Sequence, residues 1–133
     1  MMRGLDTNIL VRFLVRDDMK QAEAASAYIR KVIADGGVCF INLIVFCELV
    51  WVLESAYGYA KPQIAGVLER MLATRQFDIE TKDIVRQAVH DYASGRGDIA
   101  DYLIGRTNHS QGCDQTATFD RSLKGSPFFD VIG

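Results

Sequence analysis

The chain has 133 residues, of which 49% are apolar and 24% charged, so it can form one folded domain with a substantial core. The absence of an apolar run of about 18 residues excludes a membrane-spanning helix, and the net charge of −2 argues against a generic basic nucleic-acid-binding protein. With no signal-peptide layout at the N-terminus and three cysteines but no CxxC pair, the sequence predicts a cytoplasmic protein with reduced thiols.

The first half of the chain alternates short apolar segments with longer segments of helical spacing. Asp6 ends the first of these short segments, and the sequence Asp-Thr-Asn that starts there favours a helix N-terminus. Asn42 can cap a later helix, which carries Glu48. The predicted elements are a strand ending at residue 6, helices through residue 14 and over 18–34, a strand over 38–41 buried on both faces, and a helix over about 42–57.

The second half continues the alternation of helices and strands. Pro62 suits the first turn of a helix, and Asp98 can cap another after the loop Gly95-Arg96-Gly97. The predicted elements are helices over about 62–74, 82–92 and 99–108, and strands over 77–79, 115–119 and 128–132. Short strands between longer helices predict an α/β protein in which both faces of a parallel sheet are covered. With no repeat or linker, residues 1–133 are expected to form a single domain.

Acidic side chains follow several of the predicted strands. Because ligands of open parallel sheets bind beyond the carboxyl ends of the strands, these acids are expected at one sheet edge. The five acids are Asp6, Glu48, Asp98, Asp101 and Asp120. Carboxylates gathered in this way repel one another, and a divalent cation relieves the repulsion. Oxygen ligands suit Mg²⁺ or Mn²⁺, which can polarise a phosphodiester and lower the pKa of a bound water.

Most of these acids also have a structural interpretation. Asp6 is a favoured helix cap, and Asp120 could belong to an ordinary turn after a strand. Asp98 with Asp101 three residues later resembles a capping box, which favours a structural role for Asp98. Thr118 is typical of a strand residue with a solvated hydroxyl.

Glu48 is harder to explain in structural terms, because the helix around it is apolar on almost every turn. A buried carboxylate is costly unless it binds a cation or a partner. The sequence therefore predicts either a metal ligand at Glu48 or a buried salt bridge to an arginine. His90 and His109 are isolated, and no P-loop, dinucleotide fingerprint or Gly-x-Ser-x-Gly motif occurs.

Four segments of the chain resemble, in order, the motifs of PIN-domain ribonucleases, and in particular the VapC-type toxins of type II toxin–antitoxin systems. Each segment carries one acid of the family's set: Asp6 in residues 5–12, Glu48 in 46–49, Asp101 in 98–104 and Asp120 in 118–121. Each motif alone is weak, but all four occur in the family's order over essentially the whole chain.

The resemblance implies a three-layer αβα sandwich with a central, mostly parallel sheet of about five short strands. It also implies a Mg²⁺- or Mn²⁺-dependent endoribonuclease that cleaves RNA with metal-activated water, forms a homodimer and is inhibited by a cognate antitoxin protein. Asp6, Glu48, Asp101 and Asp120 would be the catalytic residues and would hold the metal directly or through water. Asn8, Asp98 and Thr118 would be supporting residues.

Arg12, Arg106 and Arg121 are candidate contacts to the RNA backbone, but for each of them a solvated charge is the favoured interpretation. Arg106 follows Gly105 where the family commonly has small residues. Two alternatives to the ribonuclease stay open. One is a non-catalytic PIN-fold module that binds RNA or protein, and the other is a metal-dependent phosphohydrolase, for which Asn8 stands where a second aspartate is required.

Overall fold

A computed structural model describes residues 1–133, and the chain divides into two compact units. Unit 1 comprises Met1–Lys82 and unit 2 comprises Asp83–Gly133. All six predicted helices and all five predicted strands are present, and every strand pair is parallel. Hydrogen bonds connect the strands as one sheet of three and another of two, where the sequence predicted a single sheet of about five.

Unit 1 contains a three-stranded parallel sheet in the order β1-β2-β3, together with four helices. Its elements are β1 (Met2–Gly4), α1 (Thr7–Val15), α2 (Met19–Ala34), β2 (Val38–Ile41), α3 (Leu43–Ser55), α4 (Lys61–Ala73) and β3 (Phe77–Ile79). The register pairs Met2 with Val38 and Cys39 with Phe77. Because β1 and β2 are parallel and each is followed directly by a helix, α1 and α3 begin at the same edge of this sheet.

The central strand β2 is buried mainly on one face. Cys39 and Ile41 are fully buried, whereas Val38 and Phe40 are only half-buried. The prediction that this strand is buried on both faces is therefore wrong, because only one of its faces is well covered. All three cysteines are free thiols, and burial raises the pKa of Cys39 and Cys47.

Helix α3 has one buried face and one exposed face, although its sequence is apolar nearly throughout. Phe46 and Leu49 are completely buried. On the opposite face Ile44 is 73% exposed and Trp51 is 67% exposed, with Glu48 between them. The spacing of these three residues places them on one stripe of the helix surface.

Unit 2 contains a pair of parallel strands packed with helices and a short 3₁₀ turn. Its elements are α5 (Lys82–Ser94, which starts at the unit boundary), α6 (Ile99–Ser110), β4 (Thr116–Thr118), the 3₁₀ turn Arg121–Leu123 and β5 (Phe129–Val131). The register pairs Thr116 with Phe129. Tyr92 and Leu123 are among the most deeply buried side chains here. None of the six helices has both the length and the apolar composition needed to cross a bilayer.

Candidate active site

Asp6 lies two residues beyond β1 and caps helix α1. Its Oδ1 atom accepts a hydrogen bond from the backbone N–H of Thr7 at 2.7 Å, so the predicted capping role is present. The side chain is exposed, and Oδ2 has no hydrogen-bond partner. Asn8, predicted as a supporting residue, is exposed on the first turn of α1 and makes no side-chain hydrogen bond. Asp6 therefore combines a structural role for one oxygen with a free second oxygen.

Thr7 links Glu48 to Asp6 through hydrogen bonds to both side chains. The Thr7 hydroxyl donates a hydrogen bond to Glu48 Oε1 at 2.8 Å. Glu48 is exposed, so the prediction that it is buried in an apolar helix is wrong. The apolar neighbours of Glu48 in sequence point to other faces of α3, and the carboxylate needs no arginine partner. Sequence reasoning missed Thr7, and its position next to Asp6 in Asp-Thr-Asn was the available signal.

A third carboxylate, Glu80, lies just beyond β3 at the same sheet edge of unit 1. Its Oε1 atom accepts a hydrogen bond from the backbone N–H of Leu43 at 2.9 Å, while Asn42 Oδ1 accepts one from Val45 N–H at 2.8 Å. These two side chains satisfy free N–H groups at the start of α3. Glu80 is therefore a helix-capping residue, which the sequence reading did not identify.

Asp101 and Asp98 lie at the start of α6 in unit 2. Asp101 Oδ2 accepts a hydrogen bond from the backbone N–H of Asp98 at 3.2 Å, and the pair forms the predicted capping box. Asp101 is half-buried, and this burial raises its pKa, with the negative charges of Asp120 and Asp98 adding to the effect. The charges of Asp98 and Asp120 therefore act on Asp101 within unit 2.

Asp120 follows β4 and caps the 3₁₀ turn. Its Oδ1 atom accepts hydrogen bonds from the Ser122 backbone N–H at 2.9 Å and from the Ser122 hydroxyl at 2.7 Å, and these bonds lower its pKa. The Thr118 hydroxyl oxygen accepts a hydrogen bond from Asp120 N–H at 3.1 Å, so Thr118 supports the backbone at this acid. Ser122 was not predicted, and nothing in the sequence distinguishes it from an ordinary turn residue.

The four predicted catalytic acids share one arrangement. In each carboxylate one oxygen accepts a hydrogen bond, from Thr7, Asp98 or Ser122, and the other has no hydrogen-bond partner. Oriented carboxylates with a free oxygen suit a hard divalent cation such as Mg²⁺ or Mn²⁺. No group of three or more His, Cys, Asp or Glu side chains is close enough to hold a metal ion. Within each unit, the carboxylate oxygens are donors of the chemical type that the predicted metal prefers.

Two of the three predicted RNA-contact arginines are already paired within the protein. Arg12 donates hydrogen bonds to Asp17 at 2.8 Å and to Gln21 at 2.6 Å. Arg106 donates two hydrogen bonds to Asp91, at 2.7 and 2.9 Å, and stacks over the Phe128 ring at 4.1 Å. These contacts favour a structural role for both arginines. Arg121 is exposed and donates only to the backbone carbonyl of Gly133, at 2.9 Å.

Comparison with known proteins identifies the family. The family model for the PIN domain matches residues 5–126. The chain is 28% identical to a VapC ribonuclease of Aquifex aeolicus (strain VF5) over 123 residues, which is 92% of this chain and 90% of that protein. No solved structure matches significantly. The resemblance predicted from the four motifs is confirmed, and with it the αβα fold class.

Proposed function

Because this chain belongs to the PIN domain family, we propose that it is a metal-dependent endoribonuclease and the toxin of a type II toxin–antitoxin pair. A ribonuclease of the VapC type is supported by the family match and by the similarity to the Aquifex protein along nearly the whole of both chains. The observation that carries the proposal is the set of four oriented carboxylates, each with one free oxygen, at the positions that the motif resemblance assigns to the family's acids.

The metal would be Mg²⁺ or Mn²⁺, held directly or through water by Asp6, Glu48, Asp101 and Asp120. When bound, such an ion supplies an activated water and stabilises charge on the phosphodiester. Since the match runs through both units, we propose that residues 1–133 act as one PIN domain.

The remaining side chains would prepare the carboxylates for this task. Thr7 fixes the direction of Glu48 by donating to one of its oxygens, and Ser122 does the same for Asp120. Thr118 holds the backbone at Asp120, and Asp98 fixes one oxygen of Asp101 through its backbone N–H. Such partners preorganise metal ligands, so that little reorientation is needed when substrate binds.

The substrate in this proposal is RNA, and the protein partners are a cognate antitoxin and a second copy of the chain, in the cytoplasm. The exposed Ile44 and Trp51 on α3 support an interaction with protein, because large apolar side chains clustered on a surface commonly mark an interface. Glu48 lies between them on the same helix face, so a protein bound there would also cover one acid of the site.

Cleavage of a structured RNA by the purified protein, with Mg²⁺ or with chelator, tests the proposal. We expect metal-dependent cleavage that is lost in Asp6→Asn and in Asp101→Asn, one variant from each unit. The controls are Glu69→Gln and Asp114→Asn, which neutralise exposed acids outside the site and should cleave normally. RNA binding without cleavage under any metal condition would instead support the non-catalytic module, and normal cleavage by both site variants would refute the site assignment.

A further inference from the structure

Unit 2 contains a cleft with a volume of about 720 Å³ between helices α5 and α6 and the segment 121–128. Its lining is rich in basic side chains, although the chain as a whole has a net charge of −2. The basic lining residues are His90, Arg96, Arg106, Arg121 and Lys124. The hydroxyls of Ser94, Ser122 and Ser126 also line this cleft.

Few of the cations that line the cleft are paired with an acidic side chain. Asp91 is the one acidic lining residue, and both of its oxygens accept hydrogen bonds from Arg106. Arg96 and Lys124 have no side-chain partner, and Arg121 donates only to a backbone carbonyl. An open cleft with three cations that pair with no carboxylate fits a polyanion.

The cleft begins directly beside the acids of unit 2. Arg121 and Ser122, which line it, are the two residues that follow Asp120, and Ser122 is hydrogen-bonded to that carboxylate. Tyr102, which also lines it, follows Asp101 on α6. A strand bound at these acids would therefore have a cationic surface next to it.

The wall that carries Arg96 is held in place by close packing. The Gly97 N–H donates a hydrogen bond to the Tyr102 hydroxyl oxygen at 3.0 Å. A Cβ atom on Gly95 would clash with the Tyr102 hydroxyl, and one on Gly97 would lie only 2.6 Å from Leu123 Cδ2. Arg96 is thus presented from a fixed loop, which lowers the entropic cost of a contact with a ligand.

We propose that this cleft binds the sugar–phosphate backbone of the RNA next to the cleavage site, with Arg96 and Lys124 as its principal contacts. The inference rests on the proposed ribonuclease function for the identity of the polyanion. RNA is favoured over an acidic protein segment because the residues next to Asp101 and Asp120, the acids of unit 2 at which cleavage is proposed, line the cleft. Phosphates accept from arginine, lysine and hydroxyl donors, and all three are present here.

The test is the fluorescence anisotropy of a labelled single-stranded RNA of about 20 nucleotides, measured with the full chain in chelator so that no cleavage is expected. In the double variant Arg96→Ala/Lys124→Ala we expect at least about a tenfold weaker affinity. The slope of log affinity against log salt should fall by about 1.4, which corresponds to about 0.7 for each lost contact to a single strand. The control is Lys20→Ala/Arg30→Ala, which removes the same charge from exposed, unpaired positions in unit 1 and should change the affinity less than twofold.

The outcomes separate this inference from the proposed function. Equal weakening by both double variants would show that binding depends on net charge and would overturn the assignment of the cleft. If Arg96→Ala/Lys124→Ala keeps the wild-type RNA affinity but loses binding to a polyglutamate probe, the cleft binds an acidic protein segment, which would also overturn the RNA assignment. If Arg96 and Lys124 govern RNA affinity but the wild type never cleaves with Mg²⁺, the nuclease proposal fails and the cleft assignment stands. A circular dichroism spectrum like that of the wild type ensures that both variants are folded.

Discussion

The Thr7 hydroxyl donates a hydrogen bond to Glu48 Oε1, and this contact joins the first turn of α1 to the middle of α3. Thr7 also supplies the backbone N–H that Asp6 caps. One residue therefore orients both acids of unit 1, through two different groups. The contact spans 41 positions in sequence, so it depends on the parallel pairing of β1 with β2.

Replacing Thr7 by valine keeps the shape of the side chain and removes its donor. Partners that orient metal ligands typically affect activity or metal affinity by about 10–100-fold. We expect Thr7→Val to reduce RNA cleavage within this range, with the Mg²⁺ concentration for half-maximal rate raised. Thr7→Ser retains the hydroxyl and should cleave within about twofold of the wild type. Wild-type rates for Thr7→Val at every Mg²⁺ concentration would show that the hydrogen bond has no role in catalysis.

Asp101 is expected to lower stability in the absence of metal. Burial raises its folded pKa above the unfolded value, because the ionised carboxylate is disfavoured in the folded protein. Below the unfolded pKa, about 3.9, the group is protonated in both states and carries no penalty. The penalty appears as the pH rises through the folded pKa. Asp101→Asn should therefore increase the free energy of unfolding at pH 7 in chelator, and this gain should vanish below about pH 4. Urea titrations at the two pH values measure it. Mg²⁺ should stabilise the wild type but not the variant, because a ligand stabilises only the state that binds it.

The pair of Arg106 and Asp91 is expected to stabilise unit 2. Their side chains are only 21% and 18% exposed, and two hydrogen bonds join them. Arg106→Met leaves the Asp91 carboxylate unpaired in a half-buried position, which should cost about 1–3 kcal/mol in urea unfolding. Arg86→Met removes a comparable pair with Asp83, but that pair is 56% and 95% exposed and should contribute only about 0–1 kcal/mol. An equal loss of stability in the two variants would show that the Arg106–Asp91 pair contributes no more than an exposed ion pair.

Two helical glycines should respond to alanine with opposite signs. A Cβ on Gly105 in α6 would lie 2.7 Å from Cε2 of the buried Phe129 ring, whereas one on Gly66 in α4 would meet Arg70 Nη1 at an ordinary 3.5 Å. Alanine gains about 1 kcal/mol of helix propensity at either position. Overpacking costs about 1–3 kcal/mol at Gly105. We therefore expect Gly105→Ala to destabilise the protein and Gly66→Ala to stabilise it by up to about 1 kcal/mol, measured by thermal or urea unfolding.

Asp17 should make the stability of unit 1 depend on pH in the acid range. Hydrogen bonds from the Tyr57 hydroxyl and then from the Arg12 guanidinium lower its pKa. Because the folded pKa is depressed, its contribution is present above the unfolded pKa and is lost as the pH falls through the folded value. Asp17→Asn should therefore be less stable than the wild type at pH 7, and this difference should disappear as the pH falls through the folded pKa of Asp17. Tyr57→Phe should reduce this pH dependence in part, and an unchanged acid-unfolding profile in both variants would contradict the assignment.

The sequence predicted the elements well because they depend on local signals. Asp6 and Asn42 cap helices as expected from residue type. The order of the four acids identified the family, because that order is a property of the chain alone.

Contacts between residues far apart in the chain could not be predicted from the sequence. The exposure of Glu48 depends on which face of α3 is buried, and a helix that is apolar all round gives no such direction. Likewise, the partners of Arg12 and Arg106 are set by side chains from other turns or other elements. The separation of the strands into sheets of three and two depends on backbone hydrogen bonds between strands, which residue type does not specify.

The exposure of Trp51 has a practical consequence for every unfolding measurement above. It is the single tryptophan of the chain and is already 67% exposed in the folded state. Its fluorescence emission should therefore lie near that of a hydrated indole and change little when the protein unfolds. Far-ultraviolet circular dichroism is the better reporter of stability. Tryptophan emission should instead shift to shorter wavelength when a protein partner covers this face of α3, which makes it an intrinsic probe of complex formation.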